Sequence, residues 1–329
     1  MTGEPLKLEL QFDDWAMREP FVTATETTTH IRTITVTLSA DGRSGRGEAL
    51  GVDYLGETAV GMAGRVEAVR ADIEAGIDTS GLLELLPPGG ARNAVDCALW
   101  DLEAKRSGKR VWGLLGIDAL PVYTVYTLAM DSAAAMAAQA SAHRSYPILK
   151  LKLGPDDTAE KIRAIRAARP DAELVIDANG SWSLTLLDEL VDVLLVNRVA
   201  MVEQPLPRGA DESLAGLGYP VPICADESCQ HSGELEGVAD RYGMINIKLD
   251  KCGGLTDALA MIAWCRRRDI PLMVGNMLGS SLAMAPGFVV AQSCRYVDLD
   301  GPLWQRTDRQ HPLCYNDGLI GLPDARLWG

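Results

Sequence analysis

The sequence predicts an α/β protein in which a parallel β/α barrel follows an N-terminal α+β domain. Two patterns along the 329 residues support this class. Over residues 6–106, alternating β-branched runs come first and helical patterns follow, which is typical of an α+β domain. After Pro121, short apolar runs recur every ~25 residues with helix-like stretches between them, which is typical of alternating strands and helices.

The first 118 residues are predicted to form the α+β domain. A β-branched run at His30–Leu38 leads to the turn signal Asp41-Gly42, as in a β-hairpin. Apolar residues then recur at three-to-four spacing over Glu57–Ile77 and again over Ala91–Arg106, which predicts helices there.

Eight apolar runs predict the strands of a barrel over residues 119–308. Seven of them precede a plausible helix, and eight strands are the number that closes a parallel barrel. An open, doubly wound sheet has similar strands, but the Gly-rich phosphate turn typical of its first strand is absent from this sequence. The runs are Val122–Met130, Ile148–Leu153, Glu173–Ala178, Val199–Glu203, Val221–Asp226, Met244–Lys251, Pro271–Asn276 and Tyr296–Asp300.

Composition narrows the class of protein. The net charge of −14 disfavours a nucleic acid or an anionic membrane as partner, because both require a basic face. Residues 1–9 lack the apolar segment of a signal peptide, and no apolar run reaches the roughly 18 residues of a membrane helix. The seven cysteines lack CxxC spacing, which favours free thiols in a reducing compartment. We therefore expect a cytoplasmic protein with a small-molecule substrate.

Polar and charged residues stand at the carboxyl ends of all eight predicted strands. Barrel enzymes assemble their active sites at this edge, from several strands. One or two such residues are expected wherever strands meet solvent, but their presence on every strand indicates an active site. The residues are Thr127, Lys150, Lys152, Asp177, Glu203, Asp226, Lys251, Asn276, Asp298 and Asp300.

Three carboxylates in this set predict a metal site. Asp177, Glu203 and Asp226 follow successive strands, so they are expected to converge on one side of the barrel mouth. Three anions packed together repel each other unless a cation joins them. Oxygen-only ligands suit a hard ion such as Mg²⁺. The four histidines of the chain show no metal-binding spacing, which disfavours zinc.

Lysines are predicted on both sides of this site. Strand alternation points Lys150 and Lys152 to the same side, into the barrel mouth. Lys152 lies one strand unit before the first carboxylate and Lys251 one unit beyond the last, so the two are expected to face each other across the cavity.

Two lysines that flank a metal indicate proton transfer at a carbon next to a carboxylate. The metal stabilises the enediolate that forms as the proton leaves. One lysine removes the proton and the other returns one to the opposite face, which inverts the stereocentre. With a single competent lysine, the same intermediate could instead expel a leaving group.

These residues lie in motifs that resemble the enolase superfamily, muconate-lactonizing subgroup. The resemblance covers nearly the whole chain. It implies a (β/α)7β-type TIM barrel with an N-terminal capping domain, which a C-terminal segment at 309–329 completes. The motifs are Lys150-Leu-Lys152, Ile176-Asp-Ala-Asn179, Val202-Glu-Gln-Pro205, Ala225-Asp-Glu-Ser228 and Ile247-Lys-Leu-Asp-Lys-Cys-Gly-Gly254.

The resemblance also implies roles for six residues. Three would bind Mg²⁺, two would be the paired acid/bases, and one would be an auxiliary cation. In that order they are Asp177, Glu203 and Asp226, then Lys152 and Lys251, then Lys150.

The last predicted strand narrows the substrate. Asp298 and Asp300 lie on the same side of the strand, where an anionic pair could hold a substrate ammonium. The pair resembles that of the dipeptide epimerases, and Ala91–Asp101 and Asp298–Leu303 resemble the L-Ala-D/L-Glu epimerase branch. In the alternative, the two aspartates only cap the loop before Pro302. Substrate contacts are also expected from two neighbouring strand ends, at Thr127 and Asn276.

One loop departs from that branch. The resemblance implies an arginine that pairs with the side-chain carboxylate of the substrate, but residues 21–30 contain none. They offer Thr25 and Glu26 as substrate contacts, while Arg18 and Arg32 flank the loop at a spacing that does not match. A second residue other than Glu is therefore an open alternative, and Glu26 would favour a cationic one.

Other functions stay open on the same residues. An N-acyl amino acid racemase, such as an N-acetylglutamate racemase, or an o-succinylbenzoate synthase would use the same metal and lysines. Asp298 and Asp300 disfavour both, since neither substrate presents an ammonium group. A non-catalytic binding barrel is the alternative from a different class. Related barrels associate, so a homo-oligomer is expected.

Overall fold

A computed structural model describes residues 5–23 and 27–329 of the chain. The N-terminal part contains a three-stranded antiparallel sheet of β1 (Lys7–Val22), β2 (Thr27–Ala40) and β3 (Arg43–Ala49), with β2 in the centre. Asp41 and Gly42 have φ angles of 53° and 67°, as a two-residue type I′ turn requires. The predicted hairpin turn therefore joins β2 to β3.

Helices cover one face of this sheet and form the capping domain with it. Ile34, Val36 and Leu38 of β2 alternate into a buried core. The longest helix adds Ala94, Ala98 and other residues at helical spacing to the same core. The helices are α1 (Ala59–Ala68), α2 (Arg70–Glu74), α3 (Thr79–Leu85) and α4 (Gly90–Ser107). The short α5 (Val111–Leu114) follows them, and its Val111 and Trp112 are buried in the barrel core.

Eight parallel strands form the barrel sheet, in sequence order. Val125 N donates to Val297 O at 2.8 Å, so the first and last strands of the sheet meet. The predicted (β/α)7β-type TIM barrel with a capping domain is thereby confirmed. After the short β4 (Val122–Tyr123), the barrel strands are β5 (Tyr126–Leu128), β6 (Ile148–Lys152), β7 (Glu173–Asp177), β8 (Val199–Glu203), β9 (Ile223–Ala225), β10 (Met244–Lys248), β11 (Leu272–Gly275) and β12 (Tyr296–Val297).

Helices follow most barrel strands, but the connection after β8 differs from the prediction. It contains only a 3₁₀ turn at Glu212–Leu214. Prolines and glycines are dense between Pro205 and Pro222, and both residue types disfavour a helix interior. The helices are α6 (Ala133–Ala142), α7 (Thr158–Ala168), α8 (Leu184–Val196), α9 (Leu235–Val238), α10 (Leu249–Cys252), α11 (Leu255–Arg266) and α12 (Ser281–Ala291).

The sixth barrel strand ends earlier than predicted. The apolar run was expected to stay extended to Lys251, but β10 ends at Lys248 and the chain turns directly into α10. Gly253 ends that turn with a φ of 76°, the left-handed conformation typical of a residue after a helix. At Gly254, with φ 113°, a side chain would come within 2.5 Å of Asp96 in α4, so the capping domain packs directly against this bend.

The barrel interior is filled by side chains from alternating strand positions. They close the barrel below its carboxyl edge, so that this edge forms the floor of a cavity under the capping domain. The buried interior cluster contains Val125, Val175, Met201, Cys224, Met244, Met273 and Tyr296.

Two predictions from composition can be compared with the structure. All seven cysteines are free, and five of them are buried. Among the described residues, no helix has the length and apolarity needed to cross a membrane.

The C-terminal segment returns from the barrel to the capping domain. The strands β13 (Tyr315–Asn316) and β14 (Leu319–Ile320) form a small antiparallel sheet with β4. Beyond them, Trp328 is fully buried and its indole Nε1 donates to Cys97 O of α4 at 3.0 Å. Arg309 pairs with Glu48 and Asp13 of the capping sheet at 2.7 and 2.6 Å. The predicted domain limits at residues 118 and 308 stay a prediction.

Trp328→Ala should lower the free energy of unfolding by roughly 3–5 kcal/mol, because it leaves a cavity where the C-terminal segment meets α4. Urea unfolding measures this loss. Trp264→Ala is the matched control, since that side chain is half-buried and lies over Arg268 on the surface, and it should cost far less. Equal losses for the two variants would contradict the assigned role of Trp328.

Candidate active site

A cavity lies between the carboxyl edge of the barrel and two segments of the capping domain. The cavity has a volume of about 120 Å³. Residues from both domains line it: Phe21, Thr23, Asp53, Tyr54, Thr127, Lys150, Lys152, Asn179, Glu227, Lys248, Asn276, Met277, Leu278, Asp298 and Asp300.

The three predicted metal ligands come together beside this cavity. Strand register places Asp177 opposite Glu203, and an oxygen of each lies within 4.8 Å of the others and of Asp226. All three residues are fully buried. Asn246 Nδ2 holds one Glu203 oxygen at 2.7 Å, and the other, Oε2, has no hydrogen-bond partner in the described part of the chain, although Lys150 Nζ lies 2.8 Å away.

Electrostatics also favour a cation at this position. Burial and the negative charge of Asp177 raise the pKa of Glu203 to about 8. Burial opposes ionisation of Asp177 and Asp226 as well, but the neighbouring ammonium groups hold the pKa of each well below its ordinary value. The three carboxylates offer only oxygen ligands, are buried and repel one another, and such a set of ligands fits a hard metal ion.

Two of the predicted lysines line the cavity as expected. Lys150 is enclosed by carboxylates, with Nζ 2.7 Å from Asp298, 2.8 Å from Glu203 and 3.0 Å from Asp177. Burial disfavours its charge, but these carboxylates outweigh burial and raise its pKa well above the ordinary value. Lys152 Nζ lies 2.7 Å from Asp177, at the edge of the cavity.

The structure contradicts the predicted placement of Lys251 in the cavity, where Lys248 lies instead. Lys251 Nζ donates to the backbone oxygens of Asp226, Cys229 and Asn246 at 2.6, 3.0 and 3.1 Å, and it does not line the cavity. Lys248 lines the cavity, with Nζ 2.6 Å from Asp226 Oδ2.

The cause of this error is the end of β10. The run was expected to reach the barrel mouth at Lys251, but β10 ends at Lys248 and α10 turns Lys251 behind the third carboxylate. The signal in the sequence was the Gly253-Gly254 pair, which predicts a helical turn before it and thus a strand that ends at Lys248.

Asp298 and Asp300 form a buried acidic pair just beyond the end of β12. Thr127 N donates to Asp300 Oδ2 at 2.8 Å, and Asn276 Nδ2 donates to Asp298 O at 2.7 Å. Burial and the charge of Asp298 raise the pKa of Asp300 to about 7. Lys150 contacts Asp298 and also two carboxylates of the triad, so its single positive charge does not neutralise the Asp298–Asp300 pair. A substrate cation could neutralise the negative charge that remains on this pair.

The capping domain covers the cavity from two places. Phe21 and Thr23 approach from the end of β1, and Asp53 and Tyr54 from the segment after β3. The predicted contacts Thr25 and Glu26 lie outside the described residues.

The flanking arginines do not reach the cavity. Arg18 Nε donates to Gln305 O at 2.6 Å, and Arg32 forms an exposed pair with Asp14 at 3.2 Å. Among the described residues of the capping domain, no arginine or lysine lines the cavity.

Besides Lys248, two further cavity residues within the recognised motifs were not predicted. Asn179 follows Asp177 by two positions and contacts Lys152 Nζ at 3.2 Å through its side-chain oxygen. Glu227 directly follows Asp226, and burial together with that neighbour raises its pKa to about 7. Both stand just beyond a strand end, where alternation no longer predicts the direction of a side chain.

Comparison with known proteins identifies the family. Residues 7–116 match the mandelate racemase / muconate lactonizing enzyme N-terminal domain, and residues 132–326 match the enolase C-terminal domain-like family. An N-acetyl-D-glutamate racemase from Pseudoalteromonas sp is 42% identical over 253 residues, which are 77% of this chain and 80% of that one. The L-Ala-D/L-Glu epimerase of Escherichia coli (strain K12) is 38% identical over 312 residues, 94% of this chain and 97% of that one.

A solved structure indicates the same family. It is an enolase family member from Agrobacterium tumefaciens with homology to dipeptide epimerases, with bound sodium and L-Ala-L-Glu. It superposes with a TM-score of 0.96 at 41% identity, over 99% of this chain and 100% of that one. With the capped barrel and the carboxylate triad, these matches show that the chain belongs to the enolase superfamily, in the group of mandelate racemase and muconate lactonizing enzyme.

Proposed function

We propose that this protein is a Mg²⁺-dependent dipeptide epimerase that inverts the α-carbon of the second residue. The observation that carries the proposal is the placement of Lys152 and Lys248. Their ammonium groups contact the first and the third carboxylate of the triad, Asp177 and Asp226, so they flank the proposed metal position. The epimerase and racemase relatives support the same class of reaction.

Proton transfer follows from that placement. A carboxylate-bound Mg²⁺ supplies the positive charge that stabilises an enediolate. One of Lys152 and Lys248, in its neutral form, takes the α-proton from one face of the substrate, and the other donates a proton to the opposite face. The two lysines exchange roles in the reverse direction, so both epimers are substrates. Lys150 stays protonated among its carboxylates and holds them in place.

The acidic pair would hold the substrate amino terminus. An ammonium group between Asp298 and Asp300 balances the negative charge that Lys150 leaves uncompensated, and it favours ionisation of Asp300. An N-acyl substrate offers only a neutral amide there. N-acyl amino acid racemisation is nevertheless the second candidate, because the Pseudoalteromonas relative bears that activity in its name.

We propose that the second residue of the substrate is not restricted to Glu. The side chain on the inverted carbon would extend toward the capping domain, where Asp53 and Tyr54 meet Phe21 across the cavity. Asp53 would repel a carboxylate there, whereas a polar or cationic side chain would be accepted.

Exchange in D₂O tests the reaction and the two lysines together. With Mg²⁺ and a set of L-Ala-L-Xaa and L-Ala-D-Xaa dipeptides, the wild-type protein should label the second α-carbon from either epimer, as measured by mass spectrometry. Lys152→Ala and Lys248→Ala should each lower epimerisation by roughly 10²–10⁴-fold, since each removes one acid/base. Each should also keep residual exchange with one epimer only, and the two variants should prefer opposite epimers.

Lys251→Met is the matched control for Lys248→Ala. This substitution removes a buried partner of Asp226 and should lower the activity, but any residual exchange should stay symmetric between the epimers. One-sided exchange in Lys251→Met together with symmetric exchange in Lys248→Ala would contradict the assignment. Labelling of N-acyl amino acids without labelling of any dipeptide would establish the second candidate instead.

The pH dependence of binding tests the acidic pair. The test uses the dipeptide L-Ala-α-aminoisobutyrate, whose second residue has no α-proton, and the same dipeptide with an acetylated amino terminus. The affinities of these two ligands should differ only through the amino terminus. Asp300, with its pKa raised to about 7, is protonated below that pH and ionised above it. The preference for the free amine should therefore rise by roughly tenfold from pH 5.5 to 7.5, as calorimetry measures. Asp300→Asn should remove this rise, and a pH-independent preference in the wild type would refute the proposed role.

A further inference from the structure

The glutamine that follows the second carboxylate lies where three ligand-bearing strands meet. Gln204 is fully buried, and its φ of 37° is in the left-handed region that non-glycine residues rarely adopt. Its backbone N donates to Cys224 O at 2.8 Å, and its backbone O accepts from Gly180 N at 2.7 Å. The backbone of Gln204 thus joins the segment after β7 to strand β9.

The side-chain oxygen of Gln204 holds the segment that carries the third carboxylate. Oε1 accepts from Asp226 N and from Ser228 N, each at 3.0 Å. Both N–H groups are buried, so without this oxygen they would lose a hydrogen bond that water cannot replace. Two bonds to one oxygen fix the backbone on both sides of Asp226 and Glu227, and hence the direction in which the Asp226 side chain leaves the chain.

The side-chain nitrogen locks the amide in that orientation. Nε2 donates to Leu206 O at 2.7 Å, and two further acceptors, Ser228 Oγ and Tyr242 Oη, lie 2.8 and 3.0 Å from it. Tyr242 Oη donates its own proton to Asp211 Oδ2 at 2.5 Å, so it is an acceptor toward Gln204. The amide therefore cannot rotate by half a turn without placing donor against donor.

We propose that Gln204 is a positioning residue for the metal site, which sets the Asp226 carboxylate relative to Glu203. The inference rests on the proposed metal site. Gln204 does not line the cavity, so it acts through Asp226 and not by contact with the substrate. Residues that orient metal ligands in this way typically contribute 10–100-fold to metal affinity.

Calorimetric titration with Mg²⁺ alone, without substrate, tests this role. Gln204→Met removes all of the amide's hydrogen bonds at similar volume and should raise the Mg²⁺ Kd by roughly 10–100-fold. Gln204→Asn withdraws the oxygen from both N–H groups while keeping an amide, and it should raise the Kd in the same range. If Gln204→Met fails to fold, Gln204→Asn carries the test.

Gln305→Met is the matched control. Gln305 is also fully buried, but its side-chain amide has no hydrogen-bond partner among the described residues, so the Kd should stay at the wild-type value. For a folded Gln204 variant, kcat at saturating Mg²⁺ should recover to within roughly threefold of wild type. An unchanged Kd in a folded Gln204 variant, or an equal rise in Gln305→Met, would overturn the proposal. Failure of the wild-type protein to bind Mg²⁺ would overturn both this role and the metal site, whereas tight Mg²⁺ binding without α-proton exchange would overturn only the proposed reaction.

Discussion

Mutual repulsion among Asp177, Glu203 and Asp226 is the constraint on which the rest of the site depends. Three carboxylates buried within 4.8 Å of one another can stay ionised only beside positive charge. Four lysines provide part of this positive charge, and they approach the carboxylates from different directions. Lys150 lies among several carboxylates, Lys251 supports one carboxylate from behind, and Lys152 and Lys248 approach from the cavity side. A hard cation bound by the triad would free the two cavity lysines for proton transfer.

The barrel delivers this arrangement through strand register. Lys152 pairs with Asp177, and Asp177 with Glu203, so neighbouring strands place successive functional groups side by side. The capping domain completes the site from above, and its packing against the bend at Gly254 holds the chain just after Lys248. Lys248, the second proposed acid/base, ends β10, and the bend at Gly254 follows six residues later, where α4 packs against it. Fold and site are thus connected at the end of β10.

Much of this could be predicted from the sequence, because strand ends in a parallel barrel converge whatever the intervening loops do. That rule alone brings Asp177, Glu203 and Asp226 together and places Asp298 and Asp300 at the same edge of the barrel. It fails where the chain leaves the strand. Lys251 was misplaced because an apolar run does not show where extension ends, and Asn179 and Glu227 were missed because side-chain direction beyond a strand depends on the turn. The helix expected after β8 was excluded by the prolines and glycines of that connection.

The most direct test of the account is a crystal structure with Mg²⁺ and a dipeptide whose second residue lacks an α-proton. The account predicts Mg²⁺ on Asp177, Glu203 and Asp226, with Lys152 Nζ and Lys248 Nζ on opposite faces of the α-carbon, each at roughly 3–3.5 Å. Lys251 Nζ should remain behind Asp226. Both lysines on one face of the α-carbon, or Lys251 in the place assigned to Lys248, would contradict it.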